Sequence, residues 1–163
     1  MKQKILMSAC FLGQKVRYDG KDNLLAHPKI QKLFKENRIV TICPEMAGGL
    51  SVPRAPAEIQ PGFNAHAILS RKGNIKDING VDVTSAYLDG AQKTLDLALN
   101  HNIKIAILKA RSPSCGAKQI YNGLFAGQLI DGMGITAAIL IRAGIAVFDE
   151  DTIDEALDRL YSS

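Results

Sequence analysis

Residues 103–116 read IKIAILKARSPSCG, and this stretch predicts a buried strand followed by a cysteine-bearing turn. The β-branched run from Ile103 to Leu108 favours a strand, and the Ser-Pro-Ser and Cys-Gly steps after it favour a tight turn. Two other stretches follow the same plan, because Cys10 and Cys43 also come directly after short strand-like runs. All three cysteines of the chain are therefore expected where a strand ends.

The segments between these strands carry helical patterns. A first helix is expected over residues 28–37, opened by a proline, and others near 84–100, 135–142 and 152–160. Strands that alternate with helices form parallel sheets, whose carboxyl ends meet at one edge where ligands bind. We predict an α/β protein with one Rossmann-like domain over residues 1–163, built on a mostly parallel sheet of about four main strands flanked by helices.

Three finer features are also expected. Residues 44–66 are rich in proline and glycine and show no period, which is typical of a long functional loop. Residues 67–77, with a turn at Lys72-Gly73, predict a small β-hairpin insertion. Thr152 and Glu155 predict a capping box at the start of the last helix.

The composition is that of an ordinary folded protein, with 163 residues, 47% of them hydrophobic and 22% charged. No apolar run approaches the ~20 residues of a membrane helix, and the first residues predict a strand rather than a signal peptide. We therefore expect a cytoplasmic protein that keeps its thiols reduced. The net charge of +4 is too small and too scattered to indicate a surface for nucleic acid.

Three cysteines that meet at one sheet edge would be able to share an inorganic cofactor. They suit a zinc ion with one open position, or a cubane iron–sulfur cluster in which one iron lacks a protein ligand. The chain has no C-x-x-C pair, and widely separated cysteines favour the bulkier cluster. Two alternatives remain, namely buried inert thiols and a lone reactive thiol.

Acids and hydroxyls stand beside these cysteines. Glu45 lies two residues after Cys43, and Ser112 and Ser114 come just before Cys115. A helix cap for Glu45 and turn chemistry for the serines are the alternatives to catalytic roles. Three charged loop residues should reach the same edge, where they either bind a ligand or remain solvated; they are Arg17, Asp19 and Arg54.

Several short motifs are spread over nearly the whole chain. They read SAC at 8–10, VRYDG at 16–20, CPE at 43–45, DVT at 82–84 and SPSCG at 112–116. Together they resemble the thiouracil desulfurase family. The family usually has Ala-Cys-Leu-Leu-Gly in its first segment, and Phe11 replaces the first of those leucines here.

The resemblance implies a Rossmann-like enzyme that binds a [4Fe–4S] cluster through Cys10, Cys43 and Cys115. It implies an oxygen-sensitive protein that removes sulfur from a small thiolated nucleobase such as 2-thiouracil, without net redox, and releases hydrosulfide through the open iron. Within that chemistry Glu45 is the candidate general base or proton shuttle, and Ser112 is the candidate for orienting substrate or relaying a proton. The candidate substrate-binding residues are Arg17, Asp19 and Ser114.

Two other functions compete with this interpretation. The first is a non-catalytic iron–sulfur or zinc protein that acts as a sensor or a sulfur carrier. The second keeps the cluster but acts on thiolated tRNA. The chain carries no added RNA-binding domain and no dense basic stripe, which argues against the tRNA alternative.

Overall fold

The computed structural model describes residues 2–162. Its strands are β1 Ile5–Ser8, β2 Ile39–Ile42, β3 Ala57–Ile59, β4 Ile75–Asp77, β5 Ile105–Ile107, β6 Gln119–Tyr121, β7 Leu129–Asp131 and β8 Ala146–Phe148. Its α-helices are α1 Pro28–Lys35, α2 Pro44–Ala47, α3 Ala65–Leu69, α4 Thr84–Asn100, α5 Ile135–Arg142 and α6 Ile153–Ser162, and short 3₁₀ turns form at Ala9–Leu12 and Glu150–Thr152. No helix within residues 2–162 is long and apolar enough to span a membrane.

A parallel sheet with the strand order β2-β1-β5-β8 forms the centre of the fold. Within it, Met7 of β1 lies between Thr41 of β2 and Ile107 of β5. The predicted α/β fold with a four-stranded parallel sheet is confirmed. Because the four strands run in one direction, their carboxyl ends share one edge.

Helices cover both faces of the sheet because successive strand residues point to opposite sides. On one face, Met7 packs in a cluster with Leu33 of α1 and Leu157 of α6. On the other face, Leu6 packs in a cluster with Leu140 of α5. The central strand β1 is therefore buried from both sides, which explains its continuous apolar sequence.

The predicted small β-hairpin insertion is present, but its predicted range, residues 67–77, is wrong. The helix α3 occupies its first half, because the Asn64 side chain caps that helix by accepting a hydrogen bond from the Ala67 amide at 2.9 Å. The strand β4 pairs instead with β3, in an antiparallel hairpin that sets Ile75 opposite Ile59.

Residues 44–66 are also more ordered than a long loop. They contain α2 and β3 and the first turn of α3. Elements of three to five residues are too short for a hydrophobic period to register in the sequence. For the same reason the sequence does not predict the second hairpin, in which β6 pairs with β7. The connection between these two strands, residues 122–128, is named the Phe125 loop.

The predicted capping box starts three residues earlier than expected. Asp149, not Thr152, is the cap, and its side chain accepts a hydrogen bond from the Asp151 amide at 2.9 Å. Thr152 supplies the return bond, because its hydroxyl accepts from the Asp149 amide at 3.0 Å. The box therefore closes a 3₁₀ turn that leads into α6.

Candidate functional site

A cavity of about 540 Å³ lies at the carboxyl edge of the sheet, and all three cysteines line it. Cys10 sits in the 3₁₀ turn after β1, and Cys43 directly precedes α2. Cys115 lies in the loop after β5, in a turn formed by residues 112–116 that is called the Cys115 turn below. The structure thus brings together three residues that are far apart in the sequence.

The three thiols are free and largely shielded from solvent. Cys10 and Cys115 are buried, and Cys43 is partly buried. The side-chain amide of Asn23 donates a hydrogen bond to Cys10 Sγ at 3.6 Å, and Cys43 Sγ donates one to the Val16 carbonyl at 3.8 Å. The sulfurs of Cys10 and Cys43 are therefore held by hydrogen bonds at the cavity wall.

The thiols also share one electrostatic environment. Burial raises the pKa of all three, and the charges of neighbouring thiolates raise it further for Cys10 and Cys115. For Cys115 the Glu45 carboxylate contributes more to this increase than either thiolate does. Because thiolates bind metals and thiols do not, loading a metal centre here must release protons.

The arrangement of donors is too open for one ion. Within residues 2–162, no three His, Cys, Asp or Glu side chains are placed to share a single metal ion. A cubane cluster instead binds each thiolate through a different iron. Three cysteines spaced around a cavity of about 540 Å³ fit such a cluster, and the donor set of soft sulfurs suits iron.

Glu45 lies in the first turn of α2, and its charge acts on the thiols of Cys43 and Cys115. Its Oε1 accepts a hydrogen bond from Ser112 Oγ at 3.2 Å. Its Oε2 accepts from Arg54 Nε at 2.8 Å and lies 2.6 Å from Arg54 Nη2. The carboxylate is thus fixed from two sides and lines the cavity.

Arg54 forms part of the cavity wall rather than a solvated loop. Its side chain is only 9% exposed, and it also donates to the carbonyls of Ser51 and Val16, each at 3.1 Å. Burial alone would lower the pKa of Arg54, but the charge and hydrogen bond of Glu45 outweigh it and raise the pKa. Its first role is therefore to hold Glu45.

Tyr87 is a site residue that sequence reasoning missed. It lies on α4, is 3% exposed and lines the cavity. Burial raises the pKa of its hydroxyl well above the usual range, and the charge and hydrogen bond of Glu45 add to that effect. A tyrosine in the middle of a helix carries no sequence signal for such a contact, since its partner lies on another element.

Two glycines let α2 approach α4 closely. A Cβ on Gly90 would collide with the carbonyl oxygen of Pro44, and a Cβ on Gly48 would collide with that of Ala86. Because α2 carries Glu45 and follows Cys43 directly, this backbone contact sets the position of both groups. The two glycines thus affect the positions of Glu45 and Cys43 without lining the cavity themselves.

Ser112 organises the Cys115 turn as well as Glu45. Its Oγ accepts hydrogen bonds from the amides of Ser114 at 3.0 Å and Cys115 at 3.1 Å. The same hydroxyl donates a hydrogen bond to Glu45 Oε1. The Ser112 hydroxyl therefore connects the Cys115 turn to Glu45, the carboxylate that follows Cys43.

The predicted substrate-binding residues fall in different places. Arg17 lines the cavity, and its Nη1 donates to Asn23 Oδ1 at 3.3 Å. Asp19 lies outside the lining, 3.8 Å from Arg17 Nη2. Ser114 is 1% exposed, lies outside the lining and shares a 2.7 Å hydrogen bond with Thr136.

A second ion pair, between Lys109 and Glu150, lies near Cys10, and the sequence does not predict it. Lys109 Nζ lies 2.7 Å from Glu150 Oε2, and Glu150 Oε1 accepts from the Ala110 amide at 2.7 Å. Burial alone would raise the pKa of Glu150, but the hydrogen bonds from Lys109 and Ala110 lower it overall. The pair braces the end of β5, and the charge of Lys109 lowers the pKa of the Cys10 thiol in part.

Comparison with known proteins identifies the family. The profile of the 2-thiouracil desulfurase family matches residues 5–152. The chain belongs to this family. The match spans all three cysteines and both Glu45 and Ser112, so the family assignment covers the whole cavity edge described above.

Two relatives of this family member cover almost its full length. The chain is 44% identical over 153 residues to an uncharacterized protein of Bacillus subtilis (strain 168), YbbK, a match that spans 94% of this chain and 99% of YbbK. It is also similar to a solved structure of a [4Fe–4S]-dependent thiouracil desulfidase, TudS. That likeness has a TM-score of 0.90 and 42% identity, and it covers 99% of this chain and all of the other.

Proposed function

We propose that this protein is a desulfurase that holds a [4Fe–4S] cluster and removes the sulfur of a thiolated nucleobase such as 2-thiouracil. The observation that carries the proposal is the convergence of three free thiols and one fixed carboxylate on a single cavity. The 42% identity to a [4Fe–4S]-dependent thiouracil desulfidase supports it. The net reaction replaces C=S by C=O, consumes one water and releases hydrogen sulfide without net redox.

Cys10, Cys43 and Cys115 would hold the cluster. When bound, it would supply an iron without a protein ligand, a soft Lewis acid that polarises the C=S bond. The burial of Cys10 and Cys115 keeps bulk solvent and oxidants away from the sulfur ligands. We infer a cytoplasmic, reducing location and sensitivity to oxygen, since the cysteines are unpaired.

Glu45 is the proton acceptor in this proposal. Oε2 is occupied by Arg54, which leaves Oε1, beside Ser112, to take a proton from the water that attacks the thiocarbonyl carbon. Ser112 fixes the direction of Oε1. The proton taken from water then leaves with the sulfur, so the carboxylate returns to its starting state.

The remaining partners of Glu45 keep it oriented. Arg54 cannot lose its proton at any working pH, so its guanidinium holds Oε2 as a permanent countercharge. The Tyr87 hydroxyl stays neutral because its pKa is raised, and it therefore remains a hydrogen-bond donor. A preorganised base of this kind needs no rearrangement during the reaction.

The size and lining of the cavity suit a small planar heterocycle. About 540 Å³ lies in the range of small-molecule sites. Aromatic side chains lie along its wall and mouth, and such rings stack on planar bases; they are Tyr18, Tyr87, Tyr121 and Phe125. A single thiolated base fits this space.

The experiment that tests the proposal is turnover of 2-thiouracil by the cluster-loaded protein without oxygen. Uracil is measured by chromatography and sulfide by a colorimetric assay, and the two products should form in equal amounts. Loaded protein that forms neither would contradict the proposal and favour a sensor or sulfur carrier. Sulfide released only from thiolated tRNA, with a salt-dependent affinity, would instead identify RNA as the substrate.

A further inference from the structure

Glu58 is a buried carboxylate in the cavity wall that the proposed chemistry does not use. It lies on β3, is 8% exposed and lines the same cavity as the three cysteines. Its Oε1 accepts hydrogen bonds from the amides of Gly123 at 2.9 Å and Phe125 at 3.3 Å. It therefore anchors the Phe125 loop to the hairpin of β3 and β4.

The second oxygen of Glu58 has a different environment. No side chain or amide of residues 2–162 donates a hydrogen bond to Oε2, and no ion pair of that part of the chain includes Glu58. Every fully buried side-chain oxygen and nitrogen there has a partner. Oε2 is consequently not fully buried, and the cavity is the space that Glu58 lines.

A largely buried carboxylate without a cation partner is energetically costly. Anchoring the Phe125 loop does not require the charge, because a glutamine oxygen would accept the same two amide hydrogen bonds. The open, charged oxygen is explained when a ligand in the cavity donates a hydrogen bond to it. Hydrogen bonds to a charged acceptor are stronger than those to a neutral one.

The anchored loop brings an aromatic ring to the same cavity. Phe125 has a positive φ of 54°, which is uncommon for a bulky residue, and its amide is held by Glu58. Its side chain lines the cavity. A carboxylate acceptor and a stacking ring together complement a flat heterocycle that carries ring N–H groups.

We propose that Glu58 is a substrate-recognition residue whose Oε2 accepts a hydrogen bond from a ring N–H of the bound base. The inference rests on the proposed function, because it assigns the specificity of the same cavity. It predicts that the protein distinguishes bases with a free N–H from those in which that nitrogen is methylated. A site built around a polar contact rejects analogues that lack it.

Binding of uracil, the desulfurated product, tests the inference without turnover. Calorimetric titrations of cluster-loaded protein would use uracil, 1-methyluracil and 3-methyluracil, with wild type and Glu58→Gln. The wild type should bind uracil at least about tenfold more tightly than one of the two methyl derivatives. Glu58→Gln should lose that preference. Its affinity for uracil should fall by about tenfold or more, while its affinity for the methyl derivative that the wild type binds weakly should change little.

Two controls separate recognition from stability. Glu155→Gln changes an exposed carboxylate on α6 and should leave all three affinities unchanged. Thermal unfolding of Glu58→Gln should stay close to wild type, since the amide oxygen still anchors the Phe125 loop.

Three results would overturn the inference: no uracil binding by the wild type, an unchanged preference in Glu58→Gln, or an equal loss for all three ligands together with a lower unfolding temperature. The last result would make Glu58 a loop anchor only. Failure of the proposed function looks different, because uracil would still be bound with the expected preference while 2-thiouracil gave no sulfide.

Discussion

Ser112 Oγ donates a hydrogen bond to Glu45 Oε1 at 3.2 Å, across a separation of 67 positions in the chain. The same oxygen accepts a hydrogen bond from the backbone amide of Cys115 at 3.1 Å. Glu45 in turn lies on α2, two residues after Cys43, which follows β2. The loops that carry two of the three thiols are therefore joined through one hydroxyl and one carboxylate, so a ligand bound between the thiols would meet an acid–base group in a fixed direction.

Replacement of Glu45 by Gln removes the proton acceptor and keeps its shape. We expect 2-thiouracil turnover to fall by at least about 100-fold, because general bases contribute that much or more. Iron and sulfide content should match wild type, since no cysteine changes. Glu155→Gln, at an exposed position on α6, is the matched control and should keep full activity. A Glu45→Gln protein with wild-type turnover would remove Glu45 from the mechanism.

The two serines of the Cys115 turn should behave differently. Ser112→Ala removes the acceptor of two amides and the donor to Glu45, so turnover should fall and the free energy of unfolding should drop by about 1–3 kcal/mol. Ser114→Ala removes the buried contact with Thr136 and a side-chain hydrogen bond that lowers the pKa of the Cys115 thiol. It should lower stability by about 1 kcal/mol and leave the KM for 2-thiouracil unchanged. A raised KM in Ser114→Ala, measured by steady-state kinetics, would instead place Ser114 in substrate binding.

Replacement of Gly90 by Ala should disturb the site through the contact between α4 and α2. The added Cβ would collide with the Pro44 carbonyl, which forces α2 away from α4 and moves Glu45. We expect Gly90→Ala to lose about 2 kcal/mol or more of stability and most of its turnover. Ser85→Ala, at an exposed position of the same helix, should be close to neutral. Gly90→Ala with normal unfolding and normal kinetics would contradict the importance of this contact.

The metal-free protein should lose stability in alkaline solution. Burial, with the charges of Glu45 and Cys43, raises the pKa of the Cys115 thiol well above its ordinary value of 9.0. Above that pH the unfolded chain releases this proton while the folded chain keeps it. The folded state then binds more protons, so the free energy of unfolding should fall as the pH rises beyond about 9.

Denaturant unfolding of the metal-free protein at about pH 7.5 and about pH 10, under reducing conditions, measures this dependence. Cys115→Ala removes the thiol and should show a smaller loss between the two pH values. Cys10 and Cys43, whose pKa values are also raised, should account for part of the remainder. Equal losses in wild type and Cys115→Ala would refute the assignment to Cys115.

The sequence predicts the sheet and the meeting of the cysteines because both depend on local signals. A β-branched run that ends in a turn marks a strand end, and parallel strands bring their ends to one edge. Other features depend on tertiary contacts that no local pattern records. Arg54 looks like an ordinary loop charge until Glu45 is placed beside it, and Glu58 falls in the stretch 44–66 that is predicted as a loop. Strands as short as β3 and β4 show no period, which explains the misplaced hairpin.

The most direct test of the account is anaerobic reconstitution with iron and sulfide, followed by a count of iron and sulfide per chain. The count is made for wild type and for Cys10→Ser, Cys43→Ser and Cys115→Ser, with Glu155→Gln, at an exposed position on α6, as a control that keeps all three thiols. The account predicts about four irons and four sulfides in the wild type and in the control. Each cysteine variant should bind much less. Iron uptake that is absent from the wild type, or unaffected by the loss of each cysteine, would contradict it.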